Sequence, residues 1–571
     1  MTAITNDFTI VATGIIGGVQ MAGATVLTMR AVTPPETTPP PETTPPPEPE
    51  RGLLSVEIAY NDETYLFHEN NAIDRRDWTD ARGGFVQGRV DASNSSLPAF
   101  VVQFRRDKGG SRDEVVFELG DTTAGVLAFN MTGYIATIYA GDAVLAVVEV
   151  GEHYWYSRWR WQSAPRPIVA SVGELQDAGL LPRFDNALAT TRPKSPLRVY
   201  EPMGLAGLTA YVPSTGERDE IGLVTEAQAE YLRGDAGADS LIAQAEASGS
   251  FPWHYRNEDG GAIFDFKAHP QATVYGGPAA TIPWIATPIT LDPAHEPPLA
   301  FVPFLLTGDP YYLEELQCAA TYNVLCSNPP ARTSFNLGHA VRAHAWSLRV
   351  LAQCARVTPE DAPGWVQPRA YWQEWLDQER DWMLGRWVNP TAPPYTESPY
   401  VPFNFMGSCD GAPATSTLPF GSYNSSWMED FEAAVLGHVV QIGFVDWRPV
   451  LEWKIINTIA RTDGGSGWVR AKPTPYTLAL RETDDAPYVE DWPAAWGLNV
   501  RMQPDAMAYD DENTIPAGDS LTYASYTMSA LAIAATLGVE CAAECHAWLS
   551  GQIDANSNEN RYIDRKWTIS G

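Results

Sequence analysis

The residues able to do chemistry are scattered, and no single diagnostic motif gathers them. Glu429 and Asp430, in SSWMEDF, form an acidic pair beside Trp427 at the start of an apolar helical segment. Paired carboxyls suit cleavage of an acetal, one protonating the departing oxygen while the other acts as base or nucleophile. A second set is basic and aromatic. It comprises Trp253, His254 and Arg256 in PWHYRNEDGG, Asp292 and His295 in LDPAHEPP, His339, Arg342 and Trp346 in LGHAVRAHAW, and Tyr523 and Tyr526 in LTYASYT. A Tyr or His that removes a proton beside a carboxylate, with Arg balancing the developing charge, supports β-elimination instead. The catalytic candidates are therefore Asp430, Glu429, His254 and Tyr523, and the substrate-contact candidates Arg342, Trp346, Trp427, Arg256, His295 and Trp253.

Each also has a structural reading. Asp430 can cap a helix or pair locally, His254 can be a satisfied core histidine, and Trp346 reads more readily as core than as a subsite. Arg342, Trp346 and Arg349 are spaced by four and three, on one helix stripe, where a buried arginine needs an acidic partner or an anionic ligand. The loop acids Glu217, Asp219 and Glu220, with Arg218 among them, and Asp505, Asp510 and Asp511, beside Tyr509, fit helix capping and solvated loops as well as a site. Six cysteines in 571 residues are too few for a disulfide scaffold. The run Cys541-x-x-x-Cys545-His546 imitates a metal set, but its thiols fall on one apolar helix face, where free cysteine is common. Neither a metal nor a cofactor is expected.

From Leu53 to about Trp161 apolar residues alternate in short runs such as AFVVQFRRD and DEVVFELGD, separated by Asn-Asp, Gly-Gly and Gly-Asp turns. That pattern predicts an antiparallel β-sandwich. Its end, HYWYSRWRWQ, is either a sugar-stacking platform or, the stronger reading, the glue to the next domain. Beyond Ile221 the period turns helical, and apolar helices close at Gly while a partner opens almost at once, as in PLAFVPFLLTG then DPYYLEELQCAATYNVL. Five αα-hairpins are legible, and about six would close a ring with the more apolar member of each later pair inside. If those inner helices run the same way, their starts meet at one mouth. The organisation expected is an arm (1–32), a Pro/Thr/Glu linker (33–52), a sandwich (53–165), a connecting segment (166–220) and a helical domain (221–571).

Phe8 to Met29 is uncharged but rich in Gly and Thr and lacks a preceding positive cluster. It reads best as an arm covered by another protein, with a membrane anchor or a small hairpin as the other readings. The repeat TPPETTPPPETTPPPEPE favours polyproline II and, at about 3.1 Å per residue, spans on the order of 55 Å. A net charge of −32 argues against a nucleic-acid partner, which needs clustered Lys and Arg. The Asn94, Asn130 and Asn424 sequons mean nothing without a secretory route.

A sandwich followed by a helical-hairpin array, with segments such as LLTGDPYYLEELQCAATYNVL, RAHAWSLRVLAQCARVTPED and SSWMEDFEAAVLGH, resembles the (α/α) toroid carbohydrate-active proteins of bacteria and phages. The resemblance implies an antiparallel β-sandwich followed by an (α/α)6-like toroid. It also implies recognition and cleavage of a surface or capsular polysaccharide, by hydrolysis or elimination. An arm, a stiff spacer and a glycan module are together similar to the spikes of phages and gene-transfer particles, which places the chain outside the cell or on a virion-like surface, the arm bound to a particle or envelope protein. The rivals are a non-catalytic capsule-binding spike and an ordinary secreted or membrane-tethered enzyme.

Overall fold

The computed structural model describes residues 11–12, 25–26, 52–78, 84–91, 97, 99–110, 112–186, 194–214, 218–258, 261–274, 282–326, 341–362, 364–393, 395–398, 400–406, 423–515, 521–555 and 565–570. The Pro-rich repeat, Asn94, Glu217 and His339 lie outside them. Within the arm, β1 (Val11–Ala12) pairs antiparallel with β2 (Thr25–Val26). Among the described residues no helix is long and apolar enough to cross a membrane.

The N-terminal part is built of antiparallel strands. One four-stranded sheet runs β10-β9-β3-β4, with β3 Leu54–Tyr60, β4 Glu63–His68, β9 Met131–Ala140 and β10 Ala143–His153. A five-stranded sheet runs β11-β8-β7-β6-β5, with β5 Ile73–Trp78, β6 Phe85–Asp91, β7 Phe100–Asp107, β8 Asp113–Leu119 and β11 Ser157–Gln162. Asn61 and Asp62, both at positive φ, make the two-residue turn between β3 and β4, as their side chains tolerate. Alternation sends Phe117, Leu119 and Trp159 into the core, where Trp159 stacks on Phe117 at 4.1 Å and donates to the Tyr134 hydroxyl at 2.6 Å.

The opposite face of the five-stranded sheet is charged, yet β8 is buried along its whole length because the helical part covers it. Arg158, fully buried on β11, donates to Glu315 at 2.6 Å and Glu314 at 2.5 Å, while its guanidinium lies 4.3 Å over Tyr311. Arg160 bridges Glu246, Asp309 and Glu114 at 2.5, 2.8 and 3.0 Å. Tyr154 to Trp161 thus serve as the joint between the two parts.

Thirteen helices are described in the C-terminal part: α1 Val172–Asp177, α2 Glu226–Leu232, α3 Asp239–Ala247, α4 Phe301–Thr307, α5 Pro310–Cys326, α6 Val341–Val357, α7 Arg369–Met383, α8 Tyr400–Phe403, α9 Ser426–Gln441, α10 Arg448–Ala460, α11 Trp492–Met502, α12 Leu521–Thr536 and α13 Ala542–Ala555. Gly308 closes α4 at φ 61°, and Asp309 then accepts from the Tyr311 N–H, a left-handed stop followed by a cap. Helices α5, α6, α9 and α12 lie side by side in that order, and α7, α10 and α13 pack on their partners α6, α9 and α12. The inside–outside expectation fits α6/α7 and α9/α10 but not α4/α5. All of Pro310–Leu325 is buried, including Glu314 and Glu315, because the second face of α5 takes the sheet.

One glycine is fixed by the joint. A Cβ on Gly249 would run into the Arg158 carbonyl and the Tyr311 hydroxyl. Gly249→Ala is expected to cost about 1–3 kcal/mol by overpacking, measured by urea unfolding, with ligand binding unchanged in the folded fraction.

Candidate functional site

Three helix starts and two loops meet at one cluster. Asp292 caps the 3-10 turn Pro293–His295, accepting the Ala294 N–H at 2.9 Å with one oxygen and facing His295 Nδ1 at 2.5 Å with the other. A carboxylate on Nδ1 holds the proton there and leaves Nε2 as the nitrogen free to accept one. Burial pushes the His295 pKa down, Arg342 and Arg218 push it further, and Asp292 opposes them, so the ring is neutral at neutral pH. Burial raises Asp292, but the His295 hydrogen bond and the Ala294 N–H outweigh it and hold the carboxyl below its usual range.

Arg342, in the first turn of α6, places its guanidinium 5.2 Å from the Trp427 ring. Its buried Nε has no hydrogen-bond partner. Burial lowers its pKa, and Asp292, Tyr476 and Tyr526 counter this only in part. A partly buried guanidinium with such thin compensation is suited to pair with an anion. Trp427, at the start of α9, stacks on Tyr476 at 5.8 Å and lies 6.0 Å from Tyr523 of α12, which in turn is 5.5 Å from Tyr476 and 6.1 Å from Tyr526. Tyr476 is 40% exposed, so this aromatic wall opens outward.

Asp292 also lies at the margin of a cleft of about 550 Å³ lined by Trp155, Tyr156, Tyr255, Trp284 and Tyr322. Trp284 is 48% exposed. The aromatic walls of the cleft run along the joint and meet the cluster at Asp292.

No protein-family model, curated protein or solved structure matches this chain. The assignment of roles therefore rests on geometry.

Of the residues singled out from the sequence, the structure brings together His295, Arg342, Trp427 and Tyr523, with Asp292 and Tyr526 beside them. It places Trp253, His254 and Arg256 in the joint instead. His254 is fully buried between the Tyr156 carbonyl (2.9 Å) and both oxygens of Glu315 (3.0 Å each). Arg256 grips Glu118 at 2.8 and 3.0 Å and Glu314 at 3.1 Å, and Trp253 stacks on Phe251 at 4.9 Å. Trp346 is wholly buried against Phe431 at 5.0 Å, beneath Arg349, whose guanidinium donates to the carbonyls of Gly222 and Glu296.

Glu429 and Asp430 are also turned inward. Asp430 accepts from Arg461 at 2.5 Å, Thr458 at 2.8 Å and Thr527 at 2.6 Å. Glu429 is paired with Lys454 and accepts from Asn424 Nδ2 at 2.7 Å and the Met406 N–H at 3.2 Å. Tyr476 escaped the sequence reading because it lies in the loop PTPYTL, where neither periodicity nor a motif marks it. Cys541 is exposed and precedes α13 rather than sharing a face with Cys545, which packs against Ile515, Met528 and Leu549. Among the described residues no group of three or more His, Cys, Asp or Glu is set to hold a metal ion.

Proposed function

We propose that the chain binds an acidic surface polysaccharide and cleaves it by β-elimination. The observation that carries this reading is the Arg342 guanidinium, free of any hydrogen bond among the described residues, beside a histidine whose Nε2 is open and a wall of aromatic rings. Arg342 would pair with the uronate carboxylate and stabilise the charge that develops when the neighbouring C5–H is lost. His295 Nε2 is the base that takes that proton. The C5–H electrons form the C4=C5 double bond, the C4–O bond breaks, and Tyr523 would protonate the departing glycosidic oxygen. Tyr476 would offer its exposed ring to the sugar, with the buried Trp427 stacked behind it. Hydrolysis by a carboxyl pair has less support, since Glu429 and Asp430 are already committed to cations and hydroxyls.

The helices from 221 to 571 form, in this proposal, an (α/α) ring. The neighbour order supports it: α12 touches the Arg565–Trp567 turn, that turn touches α2, and α3, α4 and α5 lead back to α6. The arm and the Pro-rich spacer would display this body on a particle or envelope surface, with extracellular sugar as the partner.

Incubation with host capsule tests the reading. New ends with absorbance near 235 nm, about the range of an unsaturated uronate, are expected. Retention of intact polymer without new ends would leave a binding spike and remove the enzyme. The pH profile adds a second check. His295 titrates below the ordinary histidine value of 6.5, so activity should persist to more acidic pH than that and fall only as the ring protonates. An acid limb at or above 6.5 would exclude His295 as the base.

A further inference from the structure

The end of α7 carries a second cation set among aromatic rings, and it shares no residue with the cluster above. Residues Leu384–Val388 form a π-helical turn, a widened turn that recurs at functional sites. It presents Arg386 with its guanidinium 4.1 Å from the Tyr395 ring, 5.0 Å from Trp382 and 5.5 Å from Trp387. Tyr400 and Trp453 extend the patch at 5.6 and 6.1 Å from Trp387. Trp382, Tyr395, Tyr400 and Trp453 are all half-buried, so ring faces and edges reach solvent.

The charge around Arg386 is unusual for this chain. Earlier on the same helix, Arg380 is shared by Asp377, Asp381 and Asp446 at 2.9, 2.9 and 3.8 Å. Arg386 has no hydrogen bond or ion pair among the described residues, and its Nε is buried without a partner. Burial depresses its pKa and only Tyr400 opposes, with no carboxylate contributing. In a protein with a net charge of −32, an acid-free guanidinium on an open aromatic patch is matched to an anion from outside.

We propose that Arg386, Trp382, Tyr395 and Tyr400 form a second glycan-binding site, which takes a uronate residue of an acidic polysaccharide. The sugar packs beside the guanidinium against the solvent-reaching parts of the Tyr395 and Trp382 rings, and its carboxylate meets Arg386. The site rests on the reading of the chain as an acidic-polysaccharide protein, and it holds polymer away from the cluster at Arg342.

Affinity electrophoresis of the full chain in gels containing alginate, polygalacturonate or hyaluronate tests it. The Arg342→Ala protein should still be retarded by at least one of these polymers. Adding Arg386→Gln, or separately Tyr395→Ala, should weaken that retardation about tenfold or more, with near-UV circular dichroism and thermal midpoint unchanged. In the otherwise native chain, Arg386→Gln should leave kcat/KM on a short oligosaccharide unaltered. Unchanged retardation in both variants overturns the second site, and continued cleavage shows that the main proposal survives it. Retardation by a neutral glucan as strong as by the acidic polymers also overturns it, as does retention only by an acidic peptide.

Discussion

Arg342→Ala is expected to lower kcat/KM on an acidic polysaccharide by about 10²–10³-fold, the usual cost of removing one donor that stabilises developing charge. The thermal midpoint should hardly move, because among the described residues the side chain makes no hydrogen bond and lies over Trp427. Its removal also ends a desolvation that is compensated only in part, which offsets the lost ring contact. Arg342→Lys keeps the charge but not the planar fork, so it should recover part of the activity and not all of it. Asp430→Asn should behave in the opposite way. Its carboxylate ties α9 to Arg461 and Thr458 around the end of α10 and to Thr527 of α12, fully out of water, so the amide should destabilise the fold and affect turnover through unfolding. The pair of variants separates site from scaffold. Activity loss with Asp430→Asn in a fully folded protein, together with wild-type activity in Arg342→Ala, would reverse the assignment.

His344→Gln is expected to cost about 3–5 kcal/mol, as breaking one buried ionic group strands its partners. His344 joins three helices, with Nδ1 2.9 Å from Glu432 of α9 and Nε2 2.5 Å from Glu379 of α7, both carboxylates being wholly buried. The second oxygen of each carboxylate has no hydrogen-bond partner, so the imidazolium is their main compensation. Burial alone would lower the His344 pKa, but Glu432 and Glu379 overcome it and hold it at about 10. Burial, with the Glu432 charge, raises Glu379 to about 7 against the pull of His344. Both shifts have the same sign, since the folded chain holds these protons more tightly than the unfolded one. The His344 contribution is complete below its ordinary value of 6.5 and fades as pH rises through 10, at up to about 1.4 kcal/mol per pH unit. The wild-type protein should therefore lose this increment between pH 6.5 and 10, and the variant should show a flatter curve there. Urea unfolding of both proteins across that range measures the difference.

Much of the architecture could be read from punctuation. Glycines that adopt left-handed backbone at Gly234, Gly308 and Gly538 sit where apolar helical runs stop, and the Asn61–Asp62 turn sits between two alternating runs. These are local requirements, met within a few residues, and sequence records them directly. The charged stripe of β8 and β11 is a different matter. Alternation shows that Glu114, Glu118, Arg158 and Arg160 lie apart from the sandwich core, yet nothing local shows that α5 will cover them. For the same reason His254 reads as a candidate base, although its partner Glu315 lies 61 positions on. His295, Arg342, Trp427 and Tyr523 are legible as neighbours, because helix order brings the starts of their elements together. Tyr476 completes that wall from an irregular loop, whose path is set by packing rather than by any repeating pattern.

The ionic joint between sheet and helices has a consequence for how the chain folds. Arg105, Arg158 and Arg256 come from β7, β11 and the loop after α3, and all three meet Glu314 on α5. The strands severed after Gln162 would expose guanidiniums arranged for acids they no longer have, and the severed helices would carry buried glutamates without cations. Each half depends on the other to neutralise its buried ions, so the two are expected to fold together.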